Sequence, residues 1–369
     1  MTSMRNVERW LVVAGASGLL LMVLAACVVT PPEPTETPTA PASPTPTPPA
    51  AALSCDDLVT SDDVAVALTG ADGVPPEIVA AVRPTADLDD YITEAAGGLS
   101  CSWRAGDAST KALGSSKGEN WAYLTVDVLP GGAAGWRAWA VDGGEHEELT
   151  TFAGVDAVAS CGDPGCGVYT AVGDAAVTLE LRAAGWGIGQ SRFEGVEPPV
   201  VRQMESATRS VLEAVGTATP ERLAWPRLDT SGGGECDGAL DAAGIAAALG
   251  VEELTWERMT MVRPGTAADV VGLYSCQVAG LELPFTMITV GRGLAPVLDA
   301  IATTADASAA LEPVALAGAV AGERALLACE EGESTYCSLL FSIGSTAYQV
   351  RSKSGEVVAI AEAMIAQAR

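Results

Sequence analysis

Nine cysteines, a single histidine and two Val-Arg-Pro tripeptides are the residues of this 369-residue chain best suited to chemistry. Setting Cys27 aside leaves eight: Cys55, Cys101, Cys161 and Cys166, then Cys236, Cys276, Cys329 and Cys337. Zinc would need clustered thiolates or imidazoles, but no C-x-x-C pair exists and the one histidine, His146, lies elsewhere. An even set in an exported chain is expected to form disulfides instead. Four cysteines per half allow three connectivities each. The short gap that recurs in both halves favours Cys55–Cys101 with Cys161–Cys166, repeated as Cys236–Cys276 with Cys329–Cys337.

Catalytic patterns are scarce. A Ser-His-Asp or Cys-His site needs a base, and His146 sits in GGEHEEL, a segment that reads as a solvated loop. No S-x-x-K, H-E-x-x-H or phosphate-cradling G-x-x-x-x-G-K-[ST] is present. Paired acids at Asp89-Asp90, Glu147-Glu148 and Glu330-Glu331 suit glycoside chemistry in principle, but in so acidic a chain they read as solvated runs. The stretch DLDDYITE at 87–94 hints at a calcium loop without its central glycine or its twelfth-position Glu. Arg83 and Arg263 recur in matching tripeptides. They suit either an ion pair that fixes the turn before proline or a contact to a ligand carboxylate or phosphate, with the ion pair favoured. Trp136 and Trp139 stand three apart on a short helical stretch, where packing on a sheet is favoured over lining a pocket.

The N-terminus carries Arg5 and Arg9, then 17 uncharged residues from Trp10 to Ala26. That run is shorter than the ~20 residues of a spanning helix. A basic start, a short apolar core and small residues before a cut make a secretory signal over 1–26. The cut site reads Leu24-Ala25-Ala26-Cys27, which resembles a bacterial lipobox and implies cleavage before Cys27 and acylation of its thiol, palmitate among the chains. The remainder of 27–54 is a stalk; residues 31–50 hold 9 Pro and 5 Thr in 20, a composition that stays extended as polyproline II.

Charge narrows the partners. Residues 55–216 carry 25 Asp+Glu against 9 Lys+Arg, a net of −16, and residues 236–369 carry 16 against 7, a net of −9. Neither half can replace phosphate counterions, so no nucleic acid is expected as a partner. The expected membrane contact is the lipid anchor alone, at the outer face of the cell membrane.

The landmarks of the first half return in order in the second. CDDLVTSDDVAVALTG matches CDGALDAAGIAAALG, each with a capping residue (Ser61 or Asp241) and a glycine stop (Gly70 or Gly250). Val82-Arg83-Pro84 matches Val262-Arg263-Pro264, and GLSCSW matches LYSCQV. WAYLTVDV at 121–128 pairs with LPFTMITV at 283–290 as alternating strands, each followed by a short helix. A small-residue strand, a cysteine-bounded turn and two further strands follow in both. Each copy closes on a helix, at 198–215 and 355–369, the first with Val200, Met204, Ala207, Val211 and Val215 on one stripe. The reading is a tandem duplication: copies at 55–216 and 236–369, a linker at 217–235, and an α+β fold in which a mostly antiparallel sheet is flanked by helices.

A cysteine at the domain start, an amphipathic helix ending in Leu-Gly or Leu-Thr-Gly and a Ser-Cys-Ser-Trp strand, behind a lipobox and a Thr/Pro stalk, resemble actinobacterial cell-envelope lipoproteins. Those carry a domain of unknown function that opens Cys-x-Leu-Leu. The resemblance implies a PsbP-like fold for each copy and lends no reaction. Cys55 is followed here by Asp-Asp-Leu-Val-Thr and Cys236 by Asp-Gly-Ala-Leu-Asp, so the opening motif is not kept to the letter.

The expected role is non-catalytic, with no cofactor: an anchored binding or accessory protein that engages an envelope protein or a small apolar ligand. A wall-acting enzyme or inhibitor and a passive surface spacer are the alternatives.

Overall fold

The computed structural model describes residues 51–369 except 81, 84–85, 109–119, 143–148, 162–164, 185–190, 197–198, 231, 237–239, 260–264, 280–285, 305–310 and 330–335. Cys27, His146, Arg263, Glu147-Glu148 and Glu330-Glu331 therefore lie outside the described residues. The first copy runs α1 (Cys55–Leu58), α2 (Ser61–Ala67), β1 (Ile78–Ala80), a 3-10 turn at Leu88–Tyr91, α3 (Ile92–Ala95), β2 (Leu99–Gly106) and β3 (Trp121–Leu129). It continues through α4 (Ala133–Asp142), β4 (Leu149–Phe152), β5 (Val155–Cys161), β6 (Gly165–Val172), β7 (Ala175–Ala183), α5 (Val200–Gln203) and α6 (Glu205–Thr217). The second copy runs α7 (Ala242–Leu249), β8 (Thr255–Met259), α8 (Ala267–Val271), β9 (Tyr274–Ala279), β10 (Met287–Gly291) and α9 (Val297–Thr304). It closes with β11 (Glu312–Pro313), β12 (Ala325–Cys329), β13 (Tyr336–Ile343), β14 (Thr346–Lys353) and α10 (Glu356–Ala368).

Each copy is an antiparallel sheet of seven strands. The orders are β1-β2-β3-β7-β6-β5-β4 and β8-β9-β10-β14-β13-β12-β11, which correspond strand for strand. Both sheets are flanked by helices, an α+β architecture as the duplicated sequence predicts.

All eight cysteines beyond Cys27 pair as the spacing favours. Cys55 of α1 joins Cys101 of β2 and Cys236 joins Cys276 of β9, with Cα–Cα distances of 5.6 and 5.8 Å. Cys161 and Cys166 close the β5–β6 hairpin, and Cys329 and Cys337 close β12–β13, each pair directly opposite in register with Cα atoms 4.0 Å apart.

Period-2 alternation sends one face of each sheet into its own core. Ala122, Leu124, Val126 and Val128 of β3 are fully buried beside Val177, Leu179 and Leu181 of β7. The stripe Val200, Met204, Ala207, Val211 and Val215 closes over them, none more than 5% exposed. In the second copy α10 places Val357, Ile360, Ala361, Met364 and Ile365 on the corresponding face. A third apolar cluster joins the copies: Leu294, Val297, Leu298 and Ile301 pack with Leu88, Tyr91 and Ile92 of the first copy. Each such side chain removed from water stabilises the joint by about 1.5–3 kcal/mol.

Local details depart from the sequence reading. Thr60, not Ser61, caps α2: its hydroxyl accepts from the Asp63 N–H at 3.1 Å. That helix ends at Ala67, before Gly70, whereas Asp241 and Gly250 bracket α7 as expected, Gly250 with φ +71°. The segment FAGVDAVASC is a hairpin rather than one strand, because Ala153 and Gly154 take φ of 51° and 90°. The last helix of the first copy breaks at Met204 into α5 and α6. Among the described residues no helix is long and apolar enough to cross a membrane.

A candidate ligand cleft on the outer face of the first sheet

The face of the first sheet turned away from α5 and α6 is polar. Alternation that buries Leu124, Val126 and Val128 presents Thr125, Asp127 and Leu129, and on β7 it presents Ala176, Thr178, Glu180 and Arg182. Tyr169 of β6 stands opposite Thr178 and donates its hydroxyl to Glu180 Oε1 at 2.9 Å. These side chains floor a cleft of about 380 Å³. Its walls are the 3-10 turn and α3 with Asp89, Asp90, Ile92 and Thr93, and α4 with Trp136 and Trp139. Gly265 to Ala268 of the second copy close the remaining side.

That closure depends on two glycines. A Cβ on Gly132 would lie 2.6 Å from the Gly265 carbonyl oxygen, and one on Gly265 would lie 2.3 Å from the Gly132 oxygen and 2.6 Å from the Trp136 nitrogen. Gly265 also holds φ +76°, a region open chiefly to glycine.

The arginines are already engaged. Arg83 is 8% exposed; its Nη2 lies 2.5 Å from Glu94 Oε1 and its guanidinium 4.5 Å from the centroid of the Tyr91 ring. It therefore makes the favoured ion pair while also lining the cleft. Arg182 grips Asp90 with both nitrogens, at 3.0 and 3.1 Å, and the Asp90 carboxylate raises its pKa further above the usual arginine value. Three of the four acids that hinted at calcium are spent on these contacts: Glu94 on Arg83, Asp90 on Arg182, and Asp87 on Arg351 and Gln349. Among the described residues no group of three or more His, Cys, Asp or Glu side chains is placed to hold a metal.

Three polar groups here are left without a well-formed hydrogen bond. Asp127 Oδ1 is shut off from solvent without a well-formed hydrogen bond, and so is the hydroxyl of Ser100 directly opposite it in the strand pair, which faces the carboxylate and favours its charged form. Burial pushes the Asp127 carboxyl up to about 6; Ser100 and the Arg83 charge hold it back, while Glu180 and Glu94 push it further up. Trp136 is 8% exposed, and its indole N–H likewise finds no acceptor. Asp89 is also raised to about 6, by the protein around it and by its neighbours Asp87 and Asp90, but its side chain is exposed at the mouth and water remains within reach.

Trp136 and Trp139, expected to pack on the sheet, both line the cleft. Asp127 and Glu180 escaped the sequence reading. Their signal is a charged residue at a central-strand position in WAYLTVDV and AAVTLELR, where a solvated face and a site look alike.

The second copy does not repeat the cleft. Aligned through the half-cystines of β2 and β9, Asp127 corresponds to Thr289 and Glu180 to Arg351. Arg351 is paired with Asp87 of the first copy, and Gln349 holds the same segment. Scans against protein-family models, curated proteins and solved structures return no match.

Proposed function

We propose that the chain is an exported lipoprotein, held through acylated Cys27 at the outer face of the membrane, whose folded part is a non-catalytic binding module with the first-copy cleft as its ligand site. The anchor rests on the signal and lipobox at the N-terminus and on the fully paired cysteines of an oxidising compartment. The resemblance to actinobacterial envelope lipoproteins belongs to the same proposal.

The observation that carries the binding role is the pair of unsatisfied groups at the cleft, Asp127 Oδ1 and the Trp136 indole N–H. A buried polar group without a partner costs about 1–3 kcal/mol, so two at one concave site mark a place that a ligand completes. The mixed lining turns the expectation of an apolar ligand toward a small polar one.

The test is native mass spectrometry of the full-length protein extracted from its own membrane in mild detergent, beside a T178F variant that fills the cleft. A small molecule at one per chain, absent from T178F, is the expected result. A molecule retained equally by T178F, or none in either form, overturns the cleft as the site. Cys27→Ser tests the anchor: tight membrane retention of a cleaved product would remove it from the proposal. The enzyme reading rests on the raised Asp127 carboxyl near Glu180; turnover of wall polymer by the purified protein, lost in D127N, would replace the binding role.

A further inference from the structure

We infer that the ligand of this cleft is a small organic ammonium compound, its N–H donors on Asp127, its carbon body against Trp136 and Trp139, and an oxygen acceptor of its own on the Trp136 indole N–H. The inference rests on the cleft being the ligand site and adds the class of ligand.

Charge excludes the opposite choice. Four carboxylates line the cleft, Asp89, Asp90, Asp127 and Glu180, against two guanidinium groups. Both guanidinium groups are committed, Arg83 to Glu94 and Arg182 to Asp90. Arg182 also lies 3.6 Å from Glu180, so an anion would meet no free positive partner and two carboxylates, Asp89 and Asp127, without an ion pair among the described residues. A cation meets Asp127, a partly exposed carboxylate on the cleft floor that makes no ion pair among the described residues, so an arriving donor gains a charge-assisted hydrogen bond.

The aromatic wall supplies the second half. Indole faces attract cations, and the attraction grows where water is thin. Trp136 is more than nine-tenths buried, yet its N–H is unpartnered, which asks the ligand for an acceptor as well as a charge. An amino alcohol or an amino amide meets all three demands. A simple metal cation meets only the first, and no cluster of three or more acidic, Cys or His ligands surrounds the site among the described residues.

The experiment is isothermal titration calorimetry of the full chain with three probes of one size: 4-aminobutan-1-ol, butane-1,4-diol and 4-hydroxybutanoate. The amine is expected to bind at least tenfold more tightly than either of the others, to quench tryptophan fluorescence, and to weaken at least tenfold in D127N. D127N keeps the side-chain shape, and thermal melting checks that it remains folded; T178F supplies an independent block of the cleft. Equal or tighter binding of the diol or the hydroxybutanoate, abolished by T178F, overturns the ammonium assignment and leaves the cleft as the site. Amine binding that survives both D127N and T178F overturns both readings. No binding by any of the three also overturns the ammonium assignment.

Discussion

Gln349 of the second copy accepts the Leu88 N–H at 3.1 Å and donates to Asp87 Oδ1 at 3.0 Å, so one side-chain amide holds a turn of the first copy by both its backbone and its carboxylate. The amide also donates to Ser338 Oγ at 2.9 Å and is 1% exposed, which leaves it a single geometry. Removing it strands a buried N–H. Q349A should lower stability by about 2–3 kcal/mol in a urea melt, with loss of the inter-copy joint before either sheet. Unfolding of all parts in one transition with an unchanged midpoint would contradict this.

Gly265 and Gly322 form a matched contrast. Both have positive φ, +76° and +94°, but a Cβ on Gly322 meets nothing within 4 Å while one on Gly265 runs into the backbone of Gly132 and Trp136. G322A should cost about 1 kcal/mol from φ alone. G265A should cost clearly more and should expose Trp136, read as a red shift in tryptophan emission absent from G322A.

Asp127 makes stability depend on pH in a definite direction. Its folded value, about 6, lies above the ordinary 3.8, so the folded state binds the proton more tightly than the unfolded chain. Its contribution is therefore most favourable below pH 4, is lost progressively from about pH 4 to pH 6, and is a penalty above that window. D127N removes the penalty: a gain of about 1–3 kcal/mol is expected at pH 7.5, shrinking toward zero by pH 4. Parallel melts of the two proteins across pH 4–8 check it; a gap that does not narrow toward pH 4 would refute the assignment to Asp127.

Much of the fold was legible because its signals are local or repeated. The half-cystine spacings, the alternation in WAYLTVDV and the stripe from Val200 to Val215 each state a period that burial then realises. The edge strands β1 and β8 were not legible: IVA and TWERM are too short, and pairing with β2 and β9 makes them strands. The hairpin at Ala153-Gly154 was missed because an alanine with φ of 51° leaves no mark in the sequence. Arg83 and its ion pair were foreseen from the repeated tripeptide. The cleft was not, since it needs the 3-10 turn, α3, β3, β6, β7, α4 and the second copy brought together from positions 83 to 268.

Duplication here has not doubled the site. The face that is an open floor in one copy is, in the other, the bed for residues 87–92, with Gln349 and Arg351 in the places of Thr178 and Glu180. Different residues at a few outward positions make one twin the scaffolding for its sibling.

Leu53 exchanges backbone and indole bonds with the inter-copy linker, its N–H to the Arg222 oxygen at 2.8 Å and its carbonyl to Trp225 Nε1 at 2.9 Å. Two residues further on, Cys55 is bonded to Cys101 in β2. A tug on the chain ahead of Leu53 would therefore break two weak fastenings and then halt at a covalent one seated in the sheet. A mechanical load applied ahead of Leu53 would be borne by that crosslink, and strands β2 and β3 behind it would be spared from being peeled away.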